Sequence, residues 1–151
     1  MSSDVGLTTG ELTVTTEENE LTLSEMSAAL PDTSTIMNRV GDCWWRLIYA
    51  ARGGNWELAG YYLRRINKLG EMLKVLRPKH RDLFQRFQRT GLPQVSDAVE
   101  SRDLPGLEKA YSAATDMANT LHESAGYPYV RWVLPGEPPK GLELGPTVPP
   151  K

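Results

Sequence analysis

The residues of this 151-residue chain best suited to chemistry lie in one short stretch, Ala118-Asn119-Thr120-Leu121-His122. In a Cys-x-x-Cys-His motif two thiols hold a haem covalently and the imidazole ligates its iron. Here Ala118 and Leu121 stand where the cysteines would be. The imidazole is kept and the covalent chemistry is missing. Met37 offers a thioether sulfur, the usual companion of an imidazole on low-spin haem iron. Each residue also has a plainer role. A histidine near a helix C-terminus can bond the last carbonyls and, when protonated, is favoured by the dipole. Methionine is an adaptable filler of cores. The sequence carries no Ser-His-Asp or Cys-His pattern in a sensible position, no phosphate-binding glycine loop and no Glu-x-x-His pair for a di-iron site. Phosphotransfer would want an exposed histidine among bases, whereas Leu121 and Glu123 flank His122. The expectation is a protein that is not an enzyme.

Four amphipathic helices must position these groups. Ile36, Met37, Val40, Cys43, Trp44, Leu47, Ile48 and Ala51 recur at three- and four-residue spacing, which predicts a helix over about 33–52, stopped by Gly53-Gly54. Asn55 is a suitable N-cap for a second helix running to about 77, where Arg77-Pro78 breaks it. A third, less regular helix carries Leu83, Phe84 and Phe87, pauses at Gly91-Leu92-Pro93 and resumes through Val95, Ala98 and Val99. Asp103 caps a fourth over about 104–125, with Leu104, Leu107, Tyr111, Ala114, Ala118 and Leu121 on one stripe and His122 beside it.

Mostly short connections predict an all-α fold, an antiparallel up-down-up-down four-helix bundle over residues 33–126. The first and last helices of such a bundle are antiparallel neighbours, so Met37 and His122 are expected to meet at one end of the core. Small Ala110, Ala114 and Ala118 would leave room for a flat ring, and Trp44, Tyr62 and Tyr111 would wall it. Leu121 adjoins the same place. His80, between Lys79 and Arg81, is expected at the surface.

Charge and composition frame the bundle. Residues 1–32 hold seven acidic residues and no Lys or Arg, which predicts a disordered acidic leader. Nine bases between Arg64 and Arg89, against Glu71 and Asp82, predict a basic ridge, either a solvated helix face or a dock for an acidic partner. Nucleic acid is not expected, because the chain is slightly acidic overall and aromatics are not interleaved with bases. Seven of the eleven prolines lie beyond Gly126, so residues 127–151 are expected to form an extended tail packed on or beside the bundle. Its Tyr127, Tyr129 and Trp132 would cap one end of the core, form a lid over the His122 pocket or dock a protein. Trp45 is expected at the core edge, with a helix contact or homodimer surface as the alternative. Cys43 is expected to be a buried, inert thiol. No run of about 18 apolar residues exists to span a bilayer. The first 20 residues lack the pattern of a secretory signal, so a cytoplasmic location is expected.

Met37-Asn38-Arg39-Val40-Gly41, Ala50 to Trp56 and His122 to Tyr129 together resemble the small four-helix c-type cytochromes of the cytochrome c-prime type, over about residues 35–139. The Gly54-to-Ala59 turn and the His-x-x-x-Gly-x-Pro stretch ending at Pro128 are the more distinctive pieces. The resemblance implies His122 as the proximal ligand position and Met37 as a distal one. Without the two cysteines it implies haem b held non-covalently, or a similar hydrophobic ligand, for electron transfer or sensing. The alternative is a haem-free accessory protein that binds a partner through the ridge or the aromatic tail.

Overall fold

The computed structural model describes residues 12–147, mostly helical, as two compact units that divide between Asp32 and Thr33. In the first unit, strands β1 (Thr13–Thr15) and β2 (Glu20–Thr22) pair antiparallel, with Val14 opposite Leu21. Helix α1 (Leu23–Ala29) follows directly. Thr22 and Glu25 close a reciprocal capping box: the Thr22 hydroxyl accepts from the Glu25 N–H at 3.1 Å, and the Glu25 carboxylate accepts from the Thr22 N–H at 2.8 Å. Acidic composition predicts disorder over 1–32, but in residues 12–32 these local hydrogen bonds build a ribbon and a helix. Residues 1–11 and 148–151 lie outside the described residues.

The second unit is built on α2 (Thr33–Arg52) and α3 (Trp56–Leu76). Gly53 and Gly54 end α2. Gly54 takes φ +87°, so that its own N–H and that of Asn55 return to Ala51 and Ala50. Asn55 then caps α3, its side chain accepting from the Leu58 N–H at 3.1 Å. After Arg77 a tight 3₁₀ turn (Pro78–His80) leads into α4 (Arg81–Arg86), a single π turn (Phe87–Gly91) and α5 (Leu92–Glu100). The π turn has a local cause. Pro93 has no N–H to donate and its ring collides with the carbonyl four residues back, so the helix widens by one residue ahead of it. Asp103 caps α6 (Leu104–Ser124) by accepting from the Gly106 N–H at 3.0 Å.

α2 packs along α3 and also touches α6; α5 packs on α6 and on α3. Their facing stripes enclose Ile36, Val40, Leu47, Ile48, Ile66, Val95 and Leu107 around Trp44. From Gly126 (φ +89°) the tail runs along α2 from its start towards its end. Asn119 of α6 holds the Trp132 backbone on both sides, accepting from its N–H at 2.6 Å and donating to its carbonyl at 3.0 Å. Further on, the Tyr49 hydroxyl donates to the Pro135 carbonyl and the Asn55 amide donates to the Glu143 carbonyl at 2.9 Å. Gly53 is needed for this passage, because a Cβ there would land on the Leu144 carbonyl.

Candidate functional site

At the end of the unit where α2 begins and α6 finishes lies a cavity of about 80 Å3. Met37 and Val40 come to it from α2, Leu73 from α3, Phe84 and Phe87 from the broken third helix, and Ala118, Leu121 and His122 from α6. Tyr127 and Trp132 of the tail border it, and it stays partly open. The walls are almost wholly apolar.

Four of the sequence-predicted site residues, Met37, Ala118, Leu121 and His122, meet here. Trp44, Tyr62 and Tyr111 do not line this cavity. Trp44 stacks on Tyr111 with ring centroids 4.4 Å apart and planes 11° apart, and its indole N–H donates to the Thr115 hydroxyl at 2.9 Å. That hydroxyl in turn donates to the Tyr111 carbonyl at 2.8 Å. The aromatic pair thus packs on itself in the core, while Ala110 and Ala114 line a separate open groove between α5 and α6. Tyr62 is buried on α3 and meets the neighbouring Tyr61 ring edge-on. Tyr111 has its hydroxyl pKa raised, chiefly by burial.

His122 has a defined tautomer. Its Nδ1 lies 3.0 Å from the Val130 carbonyl, an acceptor only, so Nδ1 carries the proton and Nε2 keeps a lone pair. Its ring meets Trp132 edge-on at 5.4 Å. Burial lowers its pKa, with the Val130 bond opposing in part. Burial thus favours the neutral imidazole, in which Nε2 is the accepting nitrogen.

His80 corrects the sequence reading. It is 9% exposed and lines the cavity, and its Nε2 is buried without a hydrogen-bond partner. Charged neighbours on both sides suggested a surface position, but the 3₁₀ turn started by Pro78 directs Lys79 and Arg81 outward and turns His80 in. Burial lowers its pKa, as do the charges of Lys79 and Arg77. Asn119 is the other residue missed. It occupies a spacer position of the incomplete attachment motif, and its buried amide ties down the segment that borders the cavity.

The donors suit iron, since His122 shows the hydrogen bond to a backbone carbonyl that metal-ligating histidines make, and Met37 and His80 share its cavity. The space does not suit a porphyrin. Drug-sized ligands occupy clefts of about 300–1,000 Å3, against about 80 Å3 here. Among the described residues, no three His, Cys, Asp or Glu side chains gather as a metal site.

Elsewhere, Cys43 is half-buried with its thiol pKa raised by burial. Trp45 is partly covered and lies over Gly41 one turn back on its own helix. The basic ridge divides into two kinds of residue. Arg77 and Arg81 donate to the Leu76 and Lys74 carbonyls at the end of α3, and Lys74 pairs with Glu71 at 2.7 Å. Arg64, Lys68, Lys79, Arg86 and Arg89 are exposed. No helix among the described residues is long and apolar enough to cross a membrane. Set against known proteins, the chain matches no family model, no curated protein and no solved structure.

Proposed function

We propose that the helical unit is a non-catalytic binding domain whose cavity takes a small hydrophobic ligand without covalent attachment. The observation that carries this reading is the cavity itself: apolar walls drawn from four helical segments and bordered by Tyr127 and Trp132. The helix pairings support the antiparallel four-helix arrangement read from the sequence, in which ligand sites lie between facing helices. An engineered apolar cavity of about 150 Å3 takes benzene or xenon, so a space of about 80 Å3 suits a molecule of only a few heavy atoms.

Titration with 1-chloropropane, followed by the methyl resonances of Met37, Val40, Leu73 and Leu121, tests this. Saturable shifts confined to those methyls, abolished by Ala118→Met, are expected. Shifts scattered over the surface, or untouched by the filling substitution, would overturn the reading.

A second reading, haem b held non-covalently by His122 and Met37, is favoured by the accepting Nε2 of His122 and its carbonyl-bound Nδ1. A bound haem would supply electron-transfer or gas-binding chemistry. It would also require Tyr127 and Trp132 to leave the mouth of the cavity. Haemin added to the protein and to His122→Ala distinguishes the two readings, since a one-to-one Soret shift that needs His122 belongs to haem alone. The exposed bases Arg64, Lys68, Arg86 and Arg89 and the aromatic tail support an acidic protein partner or a second copy beside either ligand.

A further inference from the structure

We propose that His80 is the polar anchor of the cavity and that the natural ligand is a small apolar molecule bearing one hydroxyl group. This rests on the binding-domain reading above and adds the chemistry of the ligand. The sequence gives no sign of such a role for His80.

Two imidazoles border the cavity, and they differ. His122 has its Nδ1 engaged by Val130, whereas the Nε2 of His80 is shut away from solvent with no partner. His80 is also anchored. Its own N–H donates to the Arg77 carbonyl at 2.9 Å within the 3₁₀ turn, and its ring lies 6.3 Å from that of Tyr127. A buried polar nitrogen left unpaired is costly, and native proteins keep few of them. Water is a weak remedy here, because a well-held buried water needs two to four polar partners and, apart from Thr33 and His122, the side chains around His80 in the cavity wall are apolar or aromatic. A ligand with an apolar body and one polar group fits both features.

Chemistry narrows that group. An ammonium would bury a charge with no opposite charge among the cavity's lining residues, and a carboxylate would find one only by charging an imidazole that burial keeps from protonating readily. A carbonyl or ether only accepts and so suits one tautomer of His80. A hydroxyl donates and accepts, and therefore pairs with Nε2 in either tautomer. The volume limits the body to roughly the size of a short or branched alcohol.

The test compares 1-propanol with 1-chloropropane, which is of similar shape and lacks the donor, on the whole chain and on His80→Phe and His122→Phe. For the unsubstituted protein, 1-propanol is expected to bind about tenfold tighter than the chloride, after allowance for their different transfer from water. His80→Phe should erase that preference while still binding the chloride. It should also raise Tm, because an orphaned polar group gives way to an apolar one. His122→Phe should keep the preference. Equal binding of both probes, a preference that survives His80→Phe, or one that vanishes only in His122→Phe overturns the anchor while leaving the cavity reading intact. Binding of neither probe would remove both.

Discussion

The middle of the helical unit and its Met37–His122 end are lined by similar residues, aromatics and small side chains from α2 and α6, yet they are finished differently. In the middle, Trp44 is 1% exposed, stacked on Tyr111, edge-on to Phe87 at 5.8 Å and bonded through its only polar atom to Thr115. Every need of the side chain is met. At the end, His80 keeps a buried nitrogen without a partner beside a partly open cavity bordered on one side by tail residues instead of a helix. A fully satisfied region contributes stability, and one left open and unpaired has given up stability where a ligand can restore it. The tail makes the second arrangement possible, because two hydrogen bonds from one side chain, Asn119, hold Trp132 across the opening.

The comparison breaks most readily at Trp44. Trp44→Ala should cost about 3–5 kcal/mol, measured by denaturant unfolding, and leave no stable core between α2 and α6. An equal or larger loss from His80→Ala would sink the contrast between a structural middle and a binding end. Gly70 marks where α3 supports the cavity, since a Cβ there would land within the ring of Phe84, a cavity wall. Gly70→Ala should cost about 1–3 kcal/mol by overpacking and alter binding of 1-chloropropane, because Phe84 must move. Unchanged stability and binding would mean that the wall yields freely. Asn119→Ala should cost about 1–3 kcal/mol and expose the chain after Gly126 to limited proteolysis. If cleavage there stays as slow as in the parent, the tail is held by its apolar contacts and not by that amide.

Much of the frame was legible from spacing. Stripes at three- and four-residue intervals, Asn55 and Asp103 as caps, and glycines after α2 and α6 place those helices within a residue or two of where they form. These are local signals, and local energetics set element ends. The pause at Gly91-Leu92-Pro93 was also readable, and the proline that signals it is what widens the helix into a π turn. The first unit was hidden by composition. Its acidic residues suggest disorder, while Thr22-x-x-Glu25, a capping signature in plain view, marks a helix start. The site was half legible. Met37 and His122 do line one cavity. His80 could not be found by spacing, because its burial follows from a three-residue turn whose direction only the packed neighbours fix. Trp44 and Tyr111 were misplaced for the opposite reason: periodicity places both in the core but cannot say that they stack on each other, away from the cavity.

The smallest effect, and the one that separates the two histidines from the rest of the titrating groups, is the response to mild acid. Both His80 and His122 have folded-state pKa values below the usual 6.5. The unfolded chain therefore takes up protons first as the pH falls, and stability drops from about pH 6.5 downward. The lowered carboxyls of Glu57, Glu71 and Glu108 act in the same direction but only below their ordinary 4.5. Tm measured between pH 7.5 and 5 should thus decline in the parent, decline less in His80→Phe and least in His80→Phe/His122→Gln. A decline that is the same in all three would assign the acid response elsewhere and weaken the claim that this end of the core is held neutral. A bound alcohol sharpens the test, since a hydroxyl pairing with neutral His80 lowers its folded-state pKa further, which should leave the onset near pH 6.5 but carry the decline to lower pH in the parent, and leave the decline of His80→Phe unmoved.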